Sequence, residues 1–368
     1  MGIPVNTPLL EGNEKKYLLD CIETGWISSE GPFVKQFEAA FAKKMGRDYG
    51  VAVCNGSVAL DVAIAALQLS PGDEIVMPTF TIISCAAAIV RAGLVPVLVD
   101  CDPVTWNMTA AGVAQKITSK TKAIMVVHIY GLPVDLDPVL ALAEHHGLKV
   151  IEDAAQMHGQ LYKGKPCGSF GDISTFSFYP NKHVTTGEGG MVVMNDPDLA
   201  KRCRSLRNLC FQEDDRFVHT ELGWNFRMTN LQAALGLAQV EQLDTFVARK
   251  RAMGRYYTAA FSDLASVQLP RVKTDYADNI YWVFGLVLKT GQTAKEVMRK
   301  LGEIGIGTRP FFYPMHQQPV FQQMGLFKDA TYPVSEHLYQ HGFYIPSGLG
   351  LTVPEMADVV AQVRSMLV

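Results

Sequence analysis

Apolar positions along this 368-residue chain alternate between two spacings. NEKKYLLDCIETG, VKQFEAAFAKKMG and SVALDVAIAALQL carry them every three to four residues, the stripe of a helix that buries one face. Gly25 and Gly46 stop the first two, and Ser57 stands where the third needs an N-cap. YGVAVCN, DEIVMP, VPVLVD, AIMVVH and KVIED are instead short runs rich in apolar residues. Such runs suit strands buried on both faces of a parallel sheet. Between the last two, DLDPVLALAEHHG reads as a helix with an acidic start and a glycine stop. Strand, helix, strand in this rhythm predicts an α/β domain.

The second half changes character. A long helical stretch runs from Asn230 to Phe261, with Thr229 or Asn230 as its cap. Strand signals in IYWVFGLVLKT follow, then helices in TAKEVMRKLGEIG and PEMADVVAQVRSML. The pattern predicts a large domain over residues 1–249 and a smaller α+β domain over 250–368. Length agrees, since domains average about 150 residues.

Composition narrows the partners. The chain is 48% hydrophobic and 19% charged, with formal net charge −3 and no block of like charges. Nucleic acid and a polybasic membrane anchor are not expected, because both need a basic footprint. The first twenty residues lack a basic leader before an apolar core, and CAAAIVRAGLVPVLVD is broken by Arg91, Gly93 and Pro96. No signal peptide or membrane span is expected. The seven cysteines include no C-x-x-C pair, so neither a disulfide framework nor a zinc ribbon is expected, and a cytoplasmic protein is.

Five stretches carry candidate chemistry. In CNGSVALDVA a strand gives way to a helix at Gly56 and Ser57, which offers an anion the positive end of a helix. Many ordinary helices also begin this way. In VIEDAAQMHG, Glu152 and Asp153 end a strand, where open α/β sheets collect ligands. A carboxylate there holds a cationic ring nitrogen protonated, or merely caps the next turn. His158 follows, a packed or a ligand histidine. In FSFYPNKHVTTGEGGMVV, Lys182 sits between an apolar run and a glycine-rich turn, with His183 next to it. A lysine in apolar surroundings has a lowered pKa and serves as a Schiff-base nucleophile; a surface lysine does neither. The glycine run is not a G-x-G-x-x-G fingerprint. ELGWNFRMTNLQAALG carries Asn225 and Arg227, and TRPFFYPMHQQP carries Arg309 and His316 among prolines and aromatics. A phosphate cradle, an acid for a ring nitrogen and a lysine for an aldehyde are together what pyridoxal phosphate needs.

These stretches, with GWISSEGPFVKQFE, GDEIVMPTFT, AIMVVHIYGLPVD and GDISTF, resemble the DegT/DnrJ/EryC1/StrS family of sugar aminotransferases over nearly the whole chain. The resemblance implies fold type I of the pyridoxal phosphate enzymes, a central mostly parallel sheet, and a homodimer with shared active sites. By position, Lys182 matches the Schiff-base lysine, Asp153 the acid on the pyridine nitrogen and Gln156 the residue near the phenolic oxygen. Gly56, Ser57 and Ser177 match phosphate contacts, and Asn225 matches an asparagine that reaches the neighbouring subunit's cofactor. Trp26, Ser28, Ser29, Arg309 and His316 fall in regions near the sugar. Ile82 stands where many members stack an aromatic residue on the ring.

The implied reaction moves an amino group from L-glutamate to a nucleotide-linked keto sugar, with GDP-4-keto-6-deoxymannose aminated at C4 as the expected case. A dTDP-linked 4-keto or a 3-keto sugar is the alternative. A sister group of sugar 3-dehydratases has histidine in place of the lysine, so Lys182 at the aligned position favours a transaminase. A non-catalytic pyridoxal-phosphate-binding regulator would need a DNA-binding or partner surface, and the sequence offers no helix-turn-helix and no basic patch. O-antigen or a similar surface glycan is the implied pathway.

Overall fold

The computed structural model describes residues 2–212 and 215–367. The apolar runs form strands β1 (Tyr49–Val53), β2 (Glu74–Pro78), β3 (Val95–Val99), β4 (Thr121–Val127) and β5 (Lys149–Asp153). A small hairpin of β6 (Leu161–Tyr162) and β7 (Lys165–Pro166) precedes β8 (Ile173–Ser177) and β9 (Gly190–Met194). Seven of these make one sheet in the order β1-β9-β8-β5-β4-β2-β3. Strands β8, β5, β4, β2 and β3 are parallel neighbours, and β9 runs against both β8 and β1. The mostly parallel α/β expectation holds. With only β9 reversed, the strands β1, β2, β5 and β8 all end on one edge of the sheet.

Helices α1 (Glu14–Thr24), α2 (Pro32–Lys44), α3 (Gly56–Ala66), α4 (Ile83–Arg91), α5 (Ala110–Ala114), α6 (Leu136–His146) and α7 (Pro197–Arg207) flank this sheet. Gly25 closes α1 at φ +75°, a left-handed conformation that glycine adopts without strain. Helix α3 starts two residues earlier than expected from Ser57 as its N-cap. Asn55 is its N-cap, accepting from the Val58 N–H at 3.0 Å, so Ser57 lies inside the first turn. The long stretch from Asn230 breaks at Gln242 into α8 (Asn230–Glu241) and α9 (Leu243–Phe261). Helix α8 is buried on several sides by α1 and α2, whereas α9 buries one stripe through Leu243, Phe246, Val247, Lys250 and Met253. The break lets the second helix re-aim that stripe.

A second sheet follows, β10 (Val267–Gln268), β11 (Phe284–Leu288), β12 (Arg309–Pro310) and β13 (Gly342–Ile345), antiparallel in the order β10-β11-β13-β12. Helices α10 (Ala294–Glu303), α11 (Pro319–Gln323), α12 (Pro333–His341) and α13 (Val353–Leu367) accompany it. Met253, Tyr257, Phe261, Phe284, Leu301, Phe343 and Val359 form a core here. The start of α9 packs on the large sheet's core through Leu243 and Val247, and its end packs on this one. Trp282, Val283 and Phe311 join the large sheet's other face, beside Phe80 and Tyr130. No helix among the described residues is long and apolar enough to cross a membrane, and all seven cysteines are free thiols.

Candidate active site

A cleft of about 680 Å³ opens where β1, β2, β5 and β8 end. It brings together seven residues singled out in the sequence: Gly56, Ser57, Ile82, Asp153, Gln156, Ser177 and Lys182.

One end of the cleft is the N-terminus of α3. The Val58 N–H goes to the Asn55 side chain and the Ala59 N–H to the Asn55 carbonyl. The N–H groups of Gly56 and Ser57 precede any intrahelical acceptor and are left for a ligand. A Cβ on Gly56 would sit 2.5 Å from the Ser177 Cβ, so glycine is what lets the helix start approach β8. The Ser57 hydroxyl lies 2.7 Å from that of Ser84, at the start of α4, and both line the cleft.

The middle holds the acid. Asp153 ends β5, is buried, and accepts from the Ala155 N–H at 3.1 Å and the Cys85 thiol at 3.2 Å. Burial raises its pKa, opposed by these donors and by the positive charges of Lys182 and His128. Glu152 points to the opposite face, as strand alternation requires. There it accepts from the Gly168 and Phe170 N–H groups and the Ser174 hydroxyl, and contacts His128 at 3.0 Å, so it takes no part in the cleft. Gln156 is fixed by its carbonyl oxygen, which accepts from the Tyr130 N–H at 2.5 Å. Its amide NH2 is thereby free to face the cleft.

Lys182 closes the site. Its loop joins β8 to the reversed β9, and its amine lies 3.7 Å from the centre of the Trp282 ring. Loss of solvent lowers its pKa to about 7, with Asp153 and Cys85 pulling the other way. His183, one residue on, is enclosed in the protein and does not line the cleft. His158 is buried too, accepts from the Val184 N–H at 3.2 Å, and is held down to about 3 by burial. Neither histidine meets the cleft, so both are packed residues.

Trp282, Phe312 and Tyr344 form a wall, of which sequence reasoning missed Trp282 and Tyr344. The Trp282 indole N–H donates to the Asn181 carbonyl at 2.7 Å, and the Phe312 N–H to the Tyr130 hydroxyl at 3.2 Å. Only a Phe-rich, Pro-rich segment around Phe312 gave a signal. Ile82 lines the cleft from the cap of α4, as an aliphatic contact.

The other candidates lie elsewhere on the chain. Asn225 is exposed and bridges Asn208 through the backbone. Trp26 is half exposed, and its carbonyl and that of Ser28 tie to Asn230 at the start of α8. Ser29 lines a separate cleft of about 550 Å³ with Arg204, Asn208 and Arg227. Arg309 is exposed on β12, paired with Tyr344. His316 is buried, with Nδ1 2.9 Å from the Thr79 hydroxyl and Nε2 2.9 Å from Glu336.

The residues present fit pyridoxal phosphate. Two buried polar atoms lining the cleft, Thr175 Oγ1 and Asn181 Oδ1, find no partner within the protein, the mark of a site built for a ligand. The free N–H groups suit its phosphate, the Gln156 amide its phenolic oxygen, and the buried carboxylate its ring nitrogen.

The model of the DegT/DnrJ/EryC1/StrS aminotransferase family matches residues 8–364. A GDP-perosamine synthase of Escherichia coli O157:H7 is 43% identical, covering 94% of this chain and 93% of the relative. One of Caulobacter vibrioides is 41% identical, covering 100% and 98%. Among solved structures, the aminotransferase TlmJ of Streptoalloteichus hindustanus superposes with a TM-score of 0.92 at 29% identity, covering 99% of this chain and 98% of its own. With a family match that spans nearly every residue, and with the cleft built as described, the chain belongs to the DegT/DnrJ/EryC1/StrS aminotransferase family.

Proposed function

We propose that this chain transfers the amino group of L-glutamate to C4 of GDP-4-keto-6-deoxymannose, giving GDP-perosamine, with pyridoxal phosphate as cofactor. The observation that carries the reaction type is the orientation of the Lys182–His183 pair: the lysine faces the cleft and Asp153, and the histidine is sealed away. A dehydratase using His183 as its base would need the reverse. The sugar is supported by the relatives named GDP-perosamine synthase, which align end to end with this chain.

Pyridoxal phosphate, when bound, supplies a ring that withdraws electrons from the carbon carrying the nitrogen. The Gly56 and Ser57 N–H groups and the Ser177 hydroxyl bind its phosphate. Asp153 holds a proton on the ring nitrogen, and the Gln156 amide donates to the phenolic oxygen. Lys182 would hold the cofactor through its aldehyde carbon. Its amine, once free, would serve as the base and acid that takes up a proton beside the reacting carbon and gives it back. A pKa near 7 suits both directions. Trp282, Phe312 and Tyr344 exclude water from that transfer.

The working unit on this reading is a homodimer. Asn225 is exposed and follows a segment with exposed Phe217, Val218 and Leu222, which supports contact with a second copy. Seven free thiols support a reducing cytoplasm, and a surface glycan such as O-antigen is the proposed destination of the product.

The test is a mass spectrum of products from a mixture of GDP- and dTDP-linked 4-keto-6-deoxy sugars, given with L-glutamate and cofactor. Replacement of the keto oxygen by an amine in the GDP sugar alone is expected. Amination of the dTDP sugar alone would overturn the substrate. Loss of a hydroxyl without gain of nitrogen would overturn the reaction type.

A further inference from the structure

Asp153 has one backbone donor, the Ala155 N–H on Oδ1. Its other oxygen, Oδ2, is met by the Cys85 sulfur at 3.2 Å, and both side chains are buried. Cys85 comes from the first turn of α4. That turn therefore touches three parts of the cleft: Ile82 on a face, Ser84 beside Ser57, and Cys85 on the acid.

The direction of the hydrogen bonds follows from chemistry. An ionised carboxylate only accepts, so the single S–H proton points to Asp153 Oδ2. The Thr81 hydroxyl lies 3.6 Å from the same sulfur and is left to donate to it. The line Thr81 to Cys85 to Asp153 then runs one way, and each bond polarises the next. A thiolate beside a buried carboxylate is unfavourable, and burial together with Asp153 raises the Cys85 pKa well above its usual value. The sulfur keeps its proton and remains a donor throughout the working pH range.

We infer that Cys85 is a positioning residue for Asp153: its thiol holds Oδ2, pins the carboxylate plane and favours the ionised form against burial. The inference rests on the reading of Asp153 as the partner of the cofactor's ring nitrogen. No proton leaves the thiol in this role, and no bond to sulfur forms.

Two measurements test it. The first uses the cofactor-free protein. The infrared S–H stretching band, isolated as wild type minus Cys85→Ser, is expected at the low frequency of a hydrogen-bonded thiol and should rise in Asp153→Asn. A band that does not move on Asp153→Asn overturns the inference, whatever the enzyme does. The second uses the loaded enzyme. Cys85→Ala is expected to lower kcat/KM about tenfold, the order of one hydrogen bond to a charged group. It should also move the acid limb of the pH profile upward, because Asp153 loses a donor to its ionised form. Cys85→Ser keeps a donor and is expected to return kcat/KM to within about threefold of wild type, with the limb near its original place. An unshifted limb in Cys85→Ala, or a Cys85→Ser profile no better than that of Cys85→Ala, overturns the inference. A wild-type protein that takes up no pyridoxal phosphate would overturn the reading of function, and the infrared arm would still decide the thiol contact.

Discussion

A lysine amine in water is almost wholly protonated at neutral pH and attacks aldehydes slowly. Lys182 differs because burial takes its pKa down to about 7. The neutral fraction rises as pH passes upward through that value and is nearly complete one to two units above it. Capture of pyridoxal phosphate by the cofactor-free protein, followed by absorbance, is therefore expected to speed up through about pH 7 and then level off. A rate still climbing beyond pH 9, about where an unperturbed lysine begins to lose its proton, would contradict this. Lys182→Ala should abolish both capture and amine transfer. Asp153, at the end of β5, and Lys182, in the loop after β8, stood out in local sequence patterns, whereas Gln156 and Ser177 were assigned through the family resemblance alone. Trp282 and Tyr344 did not stand out. An aromatic residue in an apolar run reads as core, and only the packing of the second sheet on the first turns these rings toward the cleft.

At the scale of the element, the start of α3 carries the most. Asn55, Gly56 and Ser57 follow one another, and both Asn and Ser are good caps, so the sequence alone favoured the wrong one. The extended backbone of Asn55 decides it: its side chain reaches the Val58 N–H, and the Ser57 hydroxyl is released to meet Ser84. Gly56→Ala should be costly here for a reason of space. Its Cβ would fall 2.5 Å from the Ser177 Cβ and push the helix start away from β8. Affinity for pyridoxal phosphate is expected to fall at least about tenfold, with a loss of roughly 1–3 kcal/mol in stability by denaturant titration. Strands β1 to β5 and β11 and most helices were legible for a simple reason: burial on both faces and burial on one leave different periods. The break at Gln242 was not, because the helical spacing continues across it and only the direction of the buried stripe changes.

For the whole molecule, the two sheets share a buried lysine. Lys250 on α9 donates to the Trp282 carbonyl at 2.8 Å and to that of Ser347. It thereby ties α9 to the segment that carries the ring under Lys182. Burial lowers its pKa to about 7, against 10.5 in an unfolded chain. Between those values the unfolded state binds more protons, so Lys250 penalises the fold at low pH and releases that penalty as pH rises. In the loaded enzyme, stability should gain up to about 1.4 kcal/mol per pH unit from this group across that window, and Lys250→Met should flatten the slope in urea titrations. The dimer makes a separate prediction. If Asn225 serves the partner's site, Lys182→Ala and Asn225→Ala proteins, each impaired alone, should regain activity when unfolded and refolded together. No recovery would count against a shared site.

The wall that desolvates Lys182 is made of residues that lie far down the chain. A ribosome therefore delivers the lysine long before Trp282, Phe312 and Tyr344. On a nascent chain its amine is an ordinary hydrated ammonium, a poor match for the reactive aldehydes of a cell. Only when the last strands pack does the amine lose its water and become a nucleophile. The enzyme's reactivity is thus a product of finished folding, and an unfinished chain is spared premature modification at the residue it can least afford to lose.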